Sequence, residues 1–421
     1  MLPVISWKHF DFWLLGGLCL LLLFGVWMMS SVSVFNSYAK EVSRISQDFC
    51  KKSDTNTPDC RAKEGRAYAE FWCEQNNCNA RYLTSQIRNI FAGFGGLFIA
   101  FFIPILWWRF FSVFLYAIGM FLLIYTLIKP LQGEGFSANN WISIFGVSFQ
   151  GVEFMKFALI FYFSLWMEKK EQEVQTLESG FFPFTILIAL TALPVMAQPD
   201  FGGSIILISI AVAIFFVAGG RILHLMYSGG LGIISLVLAG IFSGHVRDRL
   251  ATFIDLSKAS EAARHQIEQS FLSIGNGGLF GAGNSTQSFG FLPEIQGDMI
   301  FAAVSEQMGF IGMIVVIALY FFIAYRGIRI ASNAPDRFSA LVATGITAWF
   351  ISQSVVNMFV VTGLFPVTGI TLPFVSYGGS SMLMSLTSMG VLLHISSLSH
   401  ESPSRRGGNW WASFSRHSRR S

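Results

Sequence analysis

The sequence predicts an all-α integral membrane protein of about ten transmembrane helices, with large outer loops between helices 1 and 2 and between helices 7 and 8. Of its 421 residues 53% are hydrophobic, 44 are Phe and only 12% are charged, about half the charged share of a soluble globule. Uncharged runs repeatedly reach the roughly 20 residues that cross a bilayer core as a helix. Lys and Arg are distributed unevenly between the connections, as the positive-inside rule requires of a multi-pass chain.

The spans follow in order. Uncharged runs occupy Phe12 to Met29, Asn89 to Trp108, Phe110 to Ile128, Phe181 to Pro199, Phe201 to Gly220, Ile222 to Val246 and Phe338 to His400, the last being long enough for two spans. Two further candidates hold isolated ionisable residues: Trp141 to Met167 with Glu153 and Lys156, and Met299 to Tyr325 with Glu306. The chain divides into a membrane domain, residues 1–400, and a basic tail, residues 401–421. The first span is too long for a typical cleavable signal core and no clear Ala-x-Ala site follows it, so it is read as an uncleaved helix.

With the N-terminus inside, the cytoplasmic side receives Lys8, Arg109, Lys169, Lys170, Arg221, Arg326, Arg329, Arg337 and the tail arginines Arg405, Arg406, Arg416, Arg419 and Arg420. The short outer connections carry only Lys129. Both termini are therefore expected in the cytoplasm. The long outer segments, residues 36–87 and 244–297, weigh little in that rule. The net charge of +4 says little about partners; tail arginines are either solvated or held on anionic membrane lipids, and no nucleic-acid partner is expected.

Cys50, Cys60, Cys73 and Cys78 cluster in the first outer loop, while Cys19 lies in the first span. An even set in an outward segment reads as two disulfides with three pairings open, against a zinc site that would need four reduced thiols outside.

The chemistry candidates are the ionisable groups in and near the helices. Glu153 and Lys156 share a helical face and either neutralise each other structurally or stand near a charged ligand. Gln198-Pro-Asp200-Phe-Gly-Gly203 reads as a capped re-entry turn. Arg247 and Arg249 suit lipid phosphates or a pyrophosphate. Residues 266–290 lack a dinucleotide or P-loop fingerprint and read as an amphipathic half-helix followed by a compact Gly-rich loop that brings backbone close to a ligand. Gly363 to Ser381 is a second loop of turn residues and hydroxyls; irregular backbone at such a depth survives only in protein or beside a wet cavity. Phe291-Leu-Pro-Glu294-Ile-Gln-Gly-Asp298 puts two carboxylates at the threshold of the eighth span. Asp298 is read as a helix cap, a general base or, with Glu294, a ligand pair for Mg2+ or Mn2+.

These pieces together resemble the SEDS (shape, elongation, division and sporulation) family of peptidoglycan polymerases. The resemblance rests on Trp141-Ile142 with Gln150, Glu153 and Lys156; Gln198 to Gly202; Gln266 with Ile274 to Gly278; Asn284-Ser-Thr-Gln287; Phe291 to Glu294 with Asp298; and Gly363 to Gly369 through Leu372 to Ser380. Asn284 to Gln287 and Thr371-Leu-Pro373 are closer to division-type FtsW than to elongation-type RodA. The chain departs from the family pattern at Asn140, Gln150-Gly-Val-Glu153 and Gln296-Gly297, which stand where the family usually has Arg, Gln-Pro-Ser-Glu and His-Thr.

The resemblance implies a ten-helix fold in the bacterial cytoplasmic membrane and polymerisation of lipid II at its outer face, in cell division. It implies Asp298 and Glu294 as catalytic residues, and places Lys156, Glu153, Arg247, Arg249, Gln266, Gln287, Ser376, Tyr377 and Gly378 at the substrate. Implied partners are a class B penicillin-binding protein supplying the transpeptidase, and other division proteins. A flippase of lipid-linked precursor and a noncatalytic division scaffold are the alternatives.

Overall fold

The computed structural model describes residues 10–52, 67–70, 73, 81–128, 141–144, 147–170, 173–221, 223, 227, 253, 255, 261–283 and 295–398. Its helices are α1 (Phe12–Lys52), α2 (Arg81–Phe102), α3 (Ile105–Ile128), α4 (Gly151–Lys169), α5 (Phe182–Ala197), α6 (Phe201–Val217), α7 (Glu261–Gly277), α8 (Ile300–Ser332), α9 (Arg337–Val361) and α10 (Gly379–Leu398). Among the described residues six segments are long and apolar enough to span a bilayer: Phe12–Val32, Ile105–Ile128, Leu177–Ala197, Ile300–Ser332, Arg337–Val361 and Gly379–Leu398. The chain is a multi-pass helical membrane protein. The expected seventh span, Ile222 to Val246, lies almost wholly outside the described residues.

Several boundaries differ from the sequence reading, each for a local reason. At 41 residues and ~1.5 Å per residue, α1 is about twice as long as a bilayer core is thick. It runs on to Lys52 through the start of the expected first outer loop. Cys50 near its end and Cys73 are both disulfide-bonded, while Cys60 and Cys78 lie outside the described residues; Cys19 is free. Val42, Ala69 and Cys73 form a small core of their own with Ile45 against it.

The expected second span crosses Pro104, which lacks an N–H and disfavours helix in the residue before it. The helix accordingly stops at Phe102, and Trp107 and Trp108 belong to α3. The expected fourth span is half right. Trp141 to Gln150 is an antiparallel hairpin, β1 (Trp141–Ile144) with β2 (Val147–Gln150), in the register Trp141 to Gln150 and Ile144 to Val147. Its β-branched and aromatic residues suit a pleated surface, and the helix begins only at Gly151.

One core runs through the bundle. α2 packs most closely on α10 because small residues line the contact. A Cβ on Gly390 would lie 2.3 Å from the Leu97 carbonyl oxygen, and one on Gly93 or Gly96 would lie 2.4 Å from Leu386 or Thr387. Close backbone approach of this kind is the usual glue between membrane helices. α4 is enclosed by α3, α6 and α9, so its polar residues face protein instead of lipid.

At one end of the bundle Asp11 ties three helices together. Its carboxylate accepts from Leu14 N (2.9 Å), capping α1, and from Arg326 Nε and Nη2 on α8 (2.9 and 2.6 Å), while its N–H donates to Ser396 Oγ on α10 (3.3 Å). At the other end α2, α4, α6, α8 and α10 begin and α9 finishes, and there the chain opens into a cavity.

Candidate active site

The cavity has a volume of about 990 Å³ and is walled by the first turns of those helices, by the hairpin and by the loop between α9 and α10. Asp298, Glu153, Lys156, Tyr377 and Gly378, all expected at a site from sequence, line it together. Segments more than 200 residues apart thus converge on one space large enough for a small ligand.

Asp298 stands two residues before α8, whose N-cap is Met299 with no side-chain capping bond; the cap reading of Asp298 is therefore replaced by a side chain facing the cavity. Its position is fixed from both neighbours. Asn357 Nδ2 on α9 donates to the Asp298 carbonyl oxygen (2.7 Å) and to Ile370 O (2.7 Å), and Gln266 Nε2 on α7 reaches Asp298 Oδ2 at 3.4 Å. Gln266 is thus a neighbour of the carboxylate from outside the cavity wall.

Glu153 and Lys156 form a buried ion pair, Nζ to Oε2 2.8 Å. Lys156 also donates to Gln353 Oε1 (2.9 Å) and lies 4.8 Å above the Trp349 ring. Gln353 Oε1 takes a second bond from Trp349 Nε1 (2.7 Å), and Gln353 Nε2 donates to Thr371 O (2.9 Å). The network satisfies a cation deep in a membrane protein, where an isolated charge would be costly.

Asp200 caps α6 by accepting from Gly203 N (2.7 Å), and Gln150 Nε2 on the hairpin reaches its other oxygen at 3.3 Å. The residue is a turn cap, as the sequence indicates, and at the same time part of the cavity wall. Ser376 has a supporting place: its Oγ accepts from Leu372 N (2.8 Å) and its carbonyl from Gln86 Nε2 (3.1 Å), while Tyr377 N donates to Gln296 O (2.8 Å). These bonds hold the Tyr377-Gly378 turn in the wall.

The described part of the Gly-rich segment after α7, residues 277–283, packs against α8. α8 is broken at Gly309, at φ 67° and ψ −162°, and residues 277–283 insert there. Phe310 N and Ile311 N donate to Gly278 O and Leu279 O (2.9 and 3.3 Å), and Ala282 N donates to Glu306 O (2.8 Å). The glycines permit backbone-to-backbone contact with α8. Glu306, the ionisable residue of the expected eighth span, is fully buried beside the break.

Glu294, Arg247, Arg249 and Gln287 lie outside the described residues. Among the described residues no group of three or more His, Cys, Asp or Glu gathers. Mg2+ is commonly held by one or two carboxylates plus substrate phosphates, so the hard oxygens of Asp298 still fit it. The sequence reading missed Arg88 and Asn89, which line the cavity, while Ser380 and Ser381 belong to the hydroxyl-bearing loop it placed beside one. Arg88 sat at the boundary between a long polar loop and an uncharged run; the signal was a cation directly at a helix threshold.

Residues 69–401 match the FtsW, RodA and SpoVE family, described as cell cycle proteins. The Stage V sporulation protein E of Bacillus subtilis (strain 168) is 38% identical over 311 residues, covering 73% of this chain and 85% of the relative. A probable peptidoglycan glycosyltransferase FtsW of Trichlorobacter lovleyi is 35% identical over 319 residues, 75% of this chain and 84% of the relative. In structure, the chain is similar to a component of a peptidoglycan synthase complex that coordinates polymerization and crosslinking, with TM-score 0.68 and 19% identity over 94% of this chain and all of that one. It is also similar to the rod shape determining protein RodA of Thermus thermophilus, with TM-score 0.62 and 21% identity over 94% and 99%.

Proposed function

Since the chain belongs to the FtsW, RodA and SpoVE family of cell cycle proteins, we propose that it is a peptidoglycan glycosyltransferase of the bacterial cytoplasmic membrane, joining lipid II units into glycan strands at the outer face during cell division. The observation that carries the reading is the convergence of Asp298, the Glu153–Lys156 pair and the Tyr377-Gly378 turn on one cavity at the end of the bundle. The positive-inside reading puts that end outward and both termini in the cytoplasm.

The reaction makes one bond and breaks another. The C4 hydroxyl oxygen of one lipid-linked disaccharide attacks the anomeric carbon of a second glycan, whose bond to the pyrophosphate oxygen breaks with its electron pair leaving on the pyrophosphate. The hydroxyl proton goes to the Asp298 carboxylate as general base and then to water entering the cavity. Gln266 reaches that carboxylate and Asn357 anchors the backbone carbonyl of Asp298, so the residue is placed before substrate arrives. Mg2+ or Mn2+, with Asp298 and Glu294 as protein ligands, would supply positive charge at the phosphates.

Nothing in the fold offers a soluble transpeptidase domain among the described residues. A class B penicillin-binding protein is therefore proposed as the partner that cross-links the strands, its membrane helix packing against the bundle, with other division proteins around it. The test uses purified full-length chain with lipid II and Mg2+ or Mn2+. Glycan polymer from wild type, lost in Asp298→Asn, is the expected result; no polymer from wild type, with or without the partner, overturns the reading in favour of a flippase or scaffold.

A further inference from the structure

Two amides of α9 stand behind the cavity wall. Gln353 and Asn357 are one helical turn apart and share a face of the helix; both are buried, and neither is among the residues that line the cavity. Their nitrogens hold successive carbonyls of the loop between α9 and α10: Asn357 Nδ2 donates to Ile370 O (2.7 Å) and Gln353 Nε2 to Thr371 O (2.9 Å). Each amide has a second tie, to a residue expected at the reaction. Asn357 Nδ2 also reaches Asp298 O (2.7 Å), and Gln353 Oε1 accepts from Lys156 Nζ (2.9 Å) and Trp349 Nε1 (2.7 Å).

The Gln353 amide fits only one way round. Turned over, its nitrogen would face the Lys156 ammonium and the Trp349 N–H, donor against donor, and its oxygen would face the Thr371 carbonyl. The loop that it holds contains strained backbone. Phe374 has φ 65°, a left-handed conformation that a bulky side chain rarely adopts, and such backbone persists only where its surroundings fix it. Ile370 and Thr371 themselves line the cavity, and Thr371 Oγ1 donates to Ser381 Oγ at the start of α10 (3.2 Å). Release of this loop from α9 therefore moves the cavity wall.

We infer that Gln353 is a positioning residue of the reaction: through Thr371 O it locks the loop to the Glu153–Lys156 pair, and with Asn357 it sets the spacing between that pair and Asp298. The inference rests on the polymerase reading. Gln353 touches no reacting atom; it acts by removing freedom from the wall, since a misplacement of about 1 Å costs on the order of a hundredfold in rate. An amide suits the place because it accepts from the lysine and donates to the carbonyl at once, whereas a carboxylate only accepts.

The test compares Gln353→Met and Gln353→Glu with wild type, as full chains in detergent, by initial polymerisation rate against lipid II concentration and by hydrogen exchange across residues 370–376. Gln353→Met keeps the length of the side chain and loses every bond. Gln353→Glu, read at about pH 8, where a carboxyl is ordinarily ionised, keeps the acceptor for Lys156 and Trp349 but has no N–H for Thr371 O. Both are expected to lower kcat about ten- to a hundredfold and leave KM within about threefold, with faster exchange across the loop. Wild-type kcat in Gln353→Glu would show that Gln353 serves only to satisfy Lys156, and overturns the inference. A raised KM at unchanged kcat, or exchange no faster than in wild type, overturns it equally. Should Gln353→Met not fold, Gln353→Glu decides alone. Exchange is read without turnover, so a wild type that makes no polymer while the variants exchange faster refutes the polymerase reading and leaves the lock on the loop standing.

Discussion

Gly281 and Gly309 lie backbone against backbone at the break in α8: a Cβ on Gly309 would fall 2.4 Å from Gly281 N, and a Cβ on Gly281 would fall 2.1 Å from Gln307 O. Both have positive φ, 86° and 67°. The two positions therefore need glycine for conformation and for space.

Alanine at Gly281 or Gly309 is expected to cost about 3 kcal/mol or more, combining left-handed strain with a clash against backbone that cannot yield. Gly283 has φ 74° but nothing within 4 Å of a Cβ among the described residues, so Gly283→Ala should cost only the strain, about 1 kcal/mol. Thermal unfolding in detergent measures the order: Gly309 and Gly281 well below Gly283. Equal losses at all three would mean that close packing at the break contributes nothing.

Asp298→Asn keeps the shape of the side chain and the Asn357 bond to the backbone, and removes the proton acceptor. Polymer yield from lipid II is expected to fall about 10²- to 10⁴-fold, the range of a lost general base, with unfolding temperature unchanged. Gln266→Ala, which loses only a 3.4 Å contact to Oδ2, should reduce turnover less than tenfold, as a positioning residue would.

The membrane fold was legible because twenty-residue apolar runs have few other uses in a folded chain, whereas the convergence of Asp298, Glu153 and Lys156 was legible only through the family resemblance that put all three at the substrate. Trp141 to Gln150 was misread because an apolar run has no period that separates a buried strand from a buried helix. In the described part of the Gly-rich loop the close approach of Gly277 and Gly281 is to Ser305 and Gln307 of α8, a partner that glycine alone does not name. Arg88 escaped because a cation at a helix threshold is equally an ordinary loop boundary, and only the fold brings it into the cavity wall with Lys156.

The Glu153–Lys156 pair offers a stability test. Lys156→Met alone strands a buried carboxylate and is expected to cost about 3–5 kcal/mol. Adding Glu153→Gln should recover most of that loss, since the desolvated charge is then gone. Chemical or thermal unfolding of the four members of the cycle reads the coupling; additive losses would show that the 2.8 Å contact carries no interaction energy.

Cation dependence distinguishes the two roles open to Asp298. An ion shared by Asp298, Glu294 and substrate phosphates makes polymerisation stop in EDTA and resume with Mg2+ or Mn2+, because hard oxygen ligands select these ions. Glu294→Gln removes one ligand while keeping the base, so it should raise the Mg2+ concentration needed for half-maximal turnover about tenfold or more and approach wild-type rate at saturation. Asp298→Asn removes ligand and base together, so no Mg2+ concentration should restore it. A rate indifferent to EDTA would eliminate the ion and leave Asp298 acting on the sugar hydroxyl alone. The measurement is initial rate of glycan formation against free Mg2+ for wild type and both variants.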